Sequence, residues 1–366
     1  MCILASIVVE QNMTQKKGQD METKPTLVAW QELFELAGRI KAMEPWKYYA
    51  DRELLAVELP GTEEKLYFGF IGMYGTCYGI CCYDGDEGLR GHFRACETDA
   101  NPLSGGAEWI MLEHDALMCY FSDRDEVSGS QKKIIKELGL KFRGSNQWTN
   151  FTSYQSEMFP ADPDANEVQR LILGYRSLVI LLTEVIAGSL GENIDFSKVF
   201  PLCRRNAATG TPECSLMPVP KLDLRYPPVR WPDPEKIKSS AKQKKTPLVF
   251  LIDLHYLGMP IGDNRNERAG AGLAFVVVEE KGGMIINFQL VDAKEDRVLQ
   301  CLGWFIDFIA ENGRPTCVKV RKEAVKAMFA DTCKQCAIEL DDDDHENFDI
   351  LDEAIDGITR GLTGGR

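Results

Sequence analysis

Residues 246–257 have the sequence TPLVFLIDLHYL, an apolar run with the length and the β-branched and aromatic content of a buried strand. Two similar runs follow it, AGLAFVVVEE at residues 271–280 and GMIINFQLVDA at residues 283–293. The glycine pair Gly282–Gly283 marks a turn between the second run and the third. Three strands in succession predict a meander at the start of a C-terminal domain.

Helix and strand patterns alternate after this meander. Apolar side chains at helical spacing over residues 298–309 predict a helix that ends at Gly313. A fourth strand (TCVKV), a helix (KEAVKAMFADTC) and a fifth strand (CAIEL) are predicted within residues 316–340, and a final amphipathic helix follows. The order βββαβαβ within residues 247–340 resembles that of the ribonuclease-H-like fold. We therefore predict an α/β domain over residues 247–360.

The N-terminal part of the chain predicts a different domain, of α+β type, over residues 25–200. A stripe of apolar side chains at helical spacing begins after Thr26. The runs KLYFGFIG and TCYGICCY alternate as strands do, and predict a β-hairpin that ends at an Asp84–Gly85 turn. Asp164 and Glu167 have the spacing of a capping box in front of a long apolar run, which predicts a central core helix.

The segments outside these two domains are predicted from their composition. Proline and lysine accumulate in residues 201–246, which predicts a linker. Residues 1–24 are predicted to be a disordered leader, because MCILASIVV is a short apolar run without a preceding basic residue and fits neither a signal peptide nor a membrane span. Met13 and Met21 are alternative starts of translation. The whole chain is thus predicted to be a mixed α/β protein of two domains.

Composition excludes some classes of partner. The chain has 366 residues, with 56 acidic against 42 basic side chains and a formal net charge of −14. This charge disfavours bulk nucleic-acid binding and attraction to anionic lipid, and no membrane association is expected. The 12 cysteines are scattered and no export signal precedes them, so we expect reduced thiols and a cytoplasmic location.

Three cysteines fall within six residues of the predicted hairpin. Strand alternation places Cys77 and Cys81 on one face and Cys82 on the other, so the three thiols cannot converge on one metal ion. Buried cysteine behaves as a small apolar side chain. We therefore expect these cysteines, with Cys119 and Cys301, to be reduced and mostly buried.

A second candidate metal site involves the one CxxC pair of the sequence. Cys333, Cys336 and His345 would supply three zinc ligands, with an aspartate as the fourth. The pair lies at the end of a predicted helix and lacks the second half of a zinc-binding motif. It also lies at the wrong helix end for a redox thiol. No metal and no cofactor are therefore expected.

Carboxylates near the predicted strand ends form the candidate catalytic group. Asp253 occupies the position of the first acid in a two-metal phosphoryl-transfer site, where several carboxylates must converge on two ions. Glu295 or Asp296 would be the second acid, and Asp341 would come from the region after the fifth strand. Arg321 stands at the turn where another acid would be needed. The acidic centre is therefore expected to be incomplete.

Three motifs resemble those of an uncharacterised family of two-domain bacterial proteins. They are Pro45–Trp46, the YDGDEGL turn at residues 83–89, and Arg143–Gly144 followed by Trp148. The stretch RPTCVKVRKEAVKAMFADTCKQCAIEL is similar to the second domain of the same family. The resemblance implies the domain plan and a bacterial, cytosolic setting. It implies no catalytic residue, because the family carries no assigned activity.

These observations favour a non-catalytic binding or adaptor module with an unknown protein partner. Apolar strands and aromatic side chains are abundant, and an acidic run over residues 339–356 is typical of a solvated face or of a surface that docks on a basic partner. The alternative is a metal-dependent, nuclease-like phosphoryl-transfer domain that uses Asp253 and an incomplete acidic centre.

Overall fold

A computed structural model of the chain describes residues 24–50, 52–100, 106–191, 193–206, 208–262, 268–292, 295–342 and 348–362. Apart from Lys24, the predicted leader lies outside these residues. The chain divides into two compact units. Unit 1 contains the residues up to Cys82 together with Leu117–Thr152 and Asp162–Pro218, and unit 2 contains Tyr83–Ala116, Ser153–Ala161 and the residues from Val219 onward.

The elements of the N-terminal half are given in chain order. They are α1 (Leu27–Met43), a 3₁₀ turn (Pro45–Lys47), β1 (Leu55–Glu58), β2 (Lys65–Ile71), β3 (Tyr78–Asp84), α2 (Gly85–Ala100), α3 (Gly106–Leu112), β4 (Ala116–Ser122), a 3₁₀ turn (Arg124–Glu126), α4 (Gly129–Glu137), β5 (Trp148–Tyr154), α5 (Ala165–Ile186), β6 (Val199–Arg205) and β7 (Pro212–Pro218). The predicted N-terminal helix, the β2–β3 hairpin and the long core helix α5 are confirmed.

The elements of the C-terminal half complete the chain. They are α6 (Pro234–Ala241), β8 (Val249–Ile261), β9 (Gly270–Glu279), β10 (Ile285–Val291), α7 (Arg297–Asn312), β11 (Cys317–Lys319), α8 (Glu323–Gln335), β12 (Glu339–Asp341) and α9 (Asp349–Leu362). The predicted order of three strands, helix, strand, helix and strand is confirmed. So is the final amphipathic helix.

Unit 1 is built on a seven-stranded sheet in the order β5-β4-β3-β2-β1-β6-β7. The apolar stripes of α1 and α5 lie in the same core as residues from the central strands, and Leu33, Phe68 and Tyr175 are completely buried in it. Local sequence sets the start of both helices. The Thr26 hydroxyl accepts from the backbone amide of Ala29, and Asp164 forms the predicted capping box with the residue three positions later.

The structure corrects the prediction that residues 201–246 form a linker. Most of β6 and all of β7 fall within this range, β6 pairs in parallel with β1, and β7 pairs antiparallel with β6. Further on, α6 buries Ile237 in the core of unit 2. The strands were missed because prolines bound β7 and most of its side chains stay partly exposed, so the alternation of a half-buried strand is weak.

The predicted Asp84–Gly85 turn is also corrected. The hairpin does end at Asp84, and Gly85 has a positive φ of 62°, but Gly85 begins helix α2 and no separate turn follows the strand. The sequence GDEGLRGH contains three glycines, and glycine disfavours the interior of a helix. The segment Tyr83–Ala116, which contains α2, packs with unit 2. Unit 2 is therefore discontinuous in sequence and larger than the predicted domain 247–360.

Unit 2 contains a five-stranded sheet in the order β10-β9-β8-β11-β12. The first three strands pair antiparallel, whereas β8, β11 and β12 pair in parallel. One core holds buried residues of α7 and α8 with Phe250 and Ile252 of β8, and a smaller core holds α9 with Leu251. The sheet is therefore covered on both faces. Among the described residues, no helix combines the length and the apolar character needed to cross a membrane.

Two glycines provide a test of the packing in unit 1. A Cβ at Gly174 of α5 would lie 2.7 Å from the ring of Phe68 and 2.8 Å from Leu66, whereas a Cβ at Gly38 of α1 would meet nothing within 4 Å. We predict that Gly174→Ala lowers the free energy of unfolding by about 1–3 kcal/mol through overpacking. Gly38→Ala should instead raise it by about 0.5–1 kcal/mol. Chemical denaturation measures both. Equal effects of the two substitutions would contradict this packing.

Candidate functional site

A buried carboxylate, Asp253, lies at the centre of the charged groups of unit 2. It belongs to the central strand β8 and its side chain is 0% exposed. Its Oδ1 lies 2.8 Å from Nζ of Lys322, and its Oδ2 accepts hydrogen bonds of 2.8 and 3.1 Å from Arg321. Both cations come from the segment between β11 and α8. The carboxylate is therefore paired on both of its oxygens.

The charges around Asp253 determine its ionisation. Burial by itself acts to raise the pKa of Asp253, because a carboxylate loses its hydration. The neighbouring Lys322 and Arg321 outweigh this effect and hold the pKa of Asp253 below its usual value. Asp253 is therefore an anion in the folded protein.

Lys322 is almost as deeply buried as its partner, at 3% exposure. Its Nζ donates to the carbonyl oxygen of Leu254 at 2.5 Å, pairs with Asp253, and lies 4.4 Å above the ring of Trp109. Burial lowers the pKa of Lys322, and the Asp253 carboxylate opposes that change. An ammonium group has three N–H donors, and these three contacts occupy them. The geometry therefore suits a structural ion pair better than a free nucleophilic amine.

Arg321 extends the pair to a third element. Its guanidinium bonds to both oxygens of Asp352 on α9, at 2.6 and 2.9 Å, and lies 5.2 Å above the ring of Phe348. Arg321 thus connects the central strand to the final helix. We call Asp253, Arg321 and Lys322, together with the half-exposed Asp352 that Arg321 binds, the buried charge cluster.

The structure does not bring the four candidate catalytic acids together. Glu295 is exposed, and Asp296 caps α7 by accepting from the amides of Val298 and Leu299. The carboxylate of Asp341 lies 3.8 Å from Nζ of Lys319. Within the described ranges, no group of three or more acidic, histidine or cysteine side chains is arranged to hold a metal. The positions beside Asp253 are taken by cations instead.

The candidate zinc ligands are placed only in part. Cys333 and Cys336 are both completely buried in the main core of unit 2, and burial raises the pKa of each thiol. His345 lies outside the described residues. A raised pKa disfavours the thiolate that binds zinc.

The other cysteines agree with the expectation of burial, with one exception. Cys81, Cys82, Cys119 and Cys301 are buried and form no disulfide, but Cys77 is exposed and lies one residue before β3. It therefore does not share a strand face with Cys81.

A pocket of about 470 Å³ opens beside the buried charge cluster, and all of its lining residues belong to unit 2. It lies where β11 and β12 end, because its wall includes the residues that follow each of these strands. Its charged lining consists of Arg94, Arg225, Arg321, Lys322 and Lys326 and of the acids Glu97, Glu323 and Asp342. The lining therefore carries more positive than negative groups in a protein of net charge −14.

Another part of the pocket lining comes from α2 and from residues 224–226. Arg94 of α2 donates to the carbonyl oxygens of Leu224 and Arg225, at 2.8 and 3.1 Å, and lies 4.2 Å above the ring of Tyr226. These contacts hold an irregular segment against a helix. Burial raises the pKa of the Tyr226 hydroxyl, so the ring stays neutral at physiological pH.

Comparison with family models divides the chain into two continuous segments, whereas units 1 and 2 of the fold each combine separated segments. Residues 30–200 match a domain of unknown function (DUF7309), and residues 236–359 match a second domain of unknown function (DUF6930). The chain contains both domains. The expected presence of two domains of unknown function is thereby confirmed. No curated protein and no solved structure matches the chain.

The DUF6930 match contains the whole buried charge cluster and one wall of the pocket, whereas Arg94 and Trp109 lie within the DUF7309 match. Sequence reasoning missed the pocket because its residues come from three separated segments. One signal was present, since Asp253 interrupts a buried strand and a buried carboxylate needs a cation. Arg321 and Lys322 directly follow the neighbouring strand.

We predict that Asp253→Asn destabilises the DUF6930 domain by about 3–5 kcal/mol, because it leaves Lys322 buried without its counter-charge. The double substitution Asp253→Leu with Lys322→Met should cost less than the single one, since no unpaired buried charge remains. Chemical denaturation followed by tryptophan fluorescence measures both.

A matched surface carboxylate serves as the control. Glu235 pairs with Lys238 at 2.7 Å, but both side chains are largely exposed. Glu235→Gln should therefore change the free energy of unfolding by less than about 1 kcal/mol. A similar cost for Asp253→Asn and Glu235→Gln would contradict the role given to the buried charge cluster.

The pKa of Asp253 also predicts a pH dependence. Because its pKa is lower in the folded chain, its contribution to stability is complete above the unfolded value of about 3.9 and is lost as the pH falls through the folded value. We expect the free energy of unfolding to fall more steeply below about pH 4 in the natural protein than in Asp253→Asn. Identical slopes for the two proteins would show that Asp253 titrates normally.

Proposed function

We propose that the protein is a non-catalytic binding module that holds a small anionic ligand, such as a phosphate group, in the pocket beside the buried charge cluster. The observation that carries the proposal is the pocket itself, which lies at the ends of two parallel strands and is lined by five cationic side chains from several elements. Its volume of about 470 Å³ is in the range of small-molecule sites. A cytoplasmic location is part of the proposal, supported by the described cysteines, none of which is in a disulfide.

The position of the pocket in the sheet supports this proposal. In sheets with parallel strands, ligands bind outside the carboxyl ends of the strands, where loops and helix N-termini converge. Val320, Arg321 and Lys322 follow β11 directly, and Asp342 follows β12. The pocket therefore lies at the edge of the sheet where this class of fold places its ligands.

The first turn of α8 adds to the positive character of the pocket. Glu323, Ala324 and Lys326 of this helix line the pocket, and a helix N-terminus carries a partial positive charge. No described side chain caps this end of α8, whereas Thr26, Ser128, Asp164, Asp233 and Asp296 cap α1, α4, α5, α6 and α7. A bound anion would take the place of the missing cap.

The buried charge cluster gives the pocket a fixed wall. Asp253 anchors Arg321 and Lys322, and these two residues lead the chain into α8. A cation that is already held in place loses little conformational freedom when an anion binds. The buried ion pair therefore contributes to ligand binding by holding the site in its binding geometry.

Phosphate binding tests this proposal. We expect inorganic phosphate to bind the full chain saturably at constant ionic strength, as measured by isothermal titration calorimetry. Arg225 lines the pocket and its side chain is 88% exposed, so Arg225→Gln leaves the core intact. Loss of a charge-assisted contact should weaken phosphate binding by about tenfold or more.

The matched control is Arg360→Gln on α9. Arg360 is also exposed, but it bonds to the backbone of its own helix and does not line the pocket. Its substitution should leave phosphate affinity unchanged. The proposal fails if phosphate binds no better than chloride, or if both substitutions weaken binding equally.

A metal-dependent phosphoryl-transfer activity is the competing outcome. The purified chain can be incubated with Mg²⁺ or Mn²⁺ and bis(p-nitrophenyl) phosphate, a chromogenic phosphodiester. We expect no turnover above that of the metal alone. Hydrolysis that requires the metal and disappears in a folded Asp253→Asn protein would replace the binding module with an enzyme.

A further inference from the structure

Two cysteines of unit 1 lie directly opposite each other at the edge of the seven-stranded sheet. Cys203 of β6 pairs in register with Cys214 of the edge strand β7. Opposed residues of an antiparallel pair project on the same face, and both side chains pack against the core of unit 1. The two thiols influence each other's ionisation, and neither is in a disulfide.

This placement fits the geometry of a disulfide. Directly opposed residues in antiparallel strands have Cα atoms about 4.5 or 5.5 Å apart, depending on the type of pair. Both values lie within the range of about 4.4–6.8 Å over which disulfides form. The register of the two strands is therefore compatible with a bond between the two sulfurs.

Exposure distinguishes the roles of the two thiols. Cys203 is 1% exposed, whereas Cys214 is only half-buried and lies on the outermost strand. A small disulfide from solution can reach Cys214 first. The inner thiol is then in position to react with it.

We propose that Cys203 and Cys214 form a modification site that is oxidised to an intramolecular disulfide by a small disulfide such as oxidised glutathione. The Cys214 thiol loses its proton and attacks one sulfur of the oxidant, forming a mixed disulfide and releasing one glutathione thiolate. Cys203 then loses its proton and attacks the sulfur of Cys214, closing the Cys203–Cys214 bond and releasing the second glutathione. Two protein thiols are oxidised and one glutathione disulfide is reduced to two thiols.

The environment of the pair affects the stability of the product. Burial raises the pKa of Cys203 to about 12 and also raises the pKa of Cys214, so the thiolate fraction is low and both attacks are slow. Thiols of high pKa are poor leaving groups, so a disulfide between them resists reduction once it has formed. The bond would fasten the edge strand β7 to β6.

Mass spectrometry of the full chain tests this site. Native protein is incubated with oxidised glutathione, quenched in acid, alkylated and digested with trypsin. We expect loss of two hydrogens, no retained glutathione, and a link between the peptides 199–204 and 206–221, which contain Cys203 and Cys214. The linked protein should melt at a higher temperature, because the bond restricts the unfolded chain.

Substitutions separate the two steps. In Cys203→Ser the glutathione adduct should persist on Cys214, because the thiol that resolves it is missing, and in Cys214→Ala the link should be absent. The buried pair Cys333 and Cys336 is the internal control and should be alkylated only after unfolding. The proposal is overturned if the natural folded protein retains glutathione on Cys214, or if the link appears only under denaturing conditions.

Discussion

The negative charge of Asp253 has to be neutralised inside unit 2. The positions of the cations along one side of the pocket follow from this constraint. An ion buried without a partner costs several kcal/mol. Here the carboxylate is completely buried on the central strand, with Lys322 on one oxygen and Arg321 on the other. Arg321 also binds Asp352. The same few charges therefore connect β8, the start of α8 and the final helix α9.

This arrangement also bears on the chemistry available to the unit. A two-metal site would need several carboxylates facing the same space as Asp253. The space beside Asp253 holds an ammonium and a guanidinium instead, while Asp296 caps a helix and Asp341 lies near Lys319. Positive groups at the ends of parallel strands suit the retention of an anion. Asp253 thus acts indirectly, by holding the cations that form one wall of the pocket.

The fold of unit 1 depends on apolar packing and not on a buried ion pair. Its core is almost entirely apolar and aromatic, with two capped helices packed on a seven-stranded sheet. The exposed prolines Pro212 and Pro218 bound the edge strand β7, where a proline lacks the N–H that a further strand would need. Within this apolar setting, the thiols of Cys203 and Cys214 stand opposite each other at the sheet edge. Their proximity follows from strand register alone.

Local sequence determined the elements whose signals lie within a few residues of one another. The apolar runs of β8 and β9, the helical stripe of α7 and the capping box of α5 were all predicted, because side-chain periodicity and capping depend on near neighbours. The strand β7 and the glycine-rich helix α2 were missed, since their own residues favour these structures only weakly and tertiary contacts stabilise them.

The partners of Asp253 were beyond the reach of such local signals. Arg321 lies 68 positions away in the chain, and Arg94 meets Leu224 across 130 positions. The sequence by itself determined that a buried aspartate stands in a strand and that two cations follow another strand. Only the packing of β11 beside β8 decided that these groups neutralise one another, because electrostatic pairing depends on distance in space and not on distance along the chain.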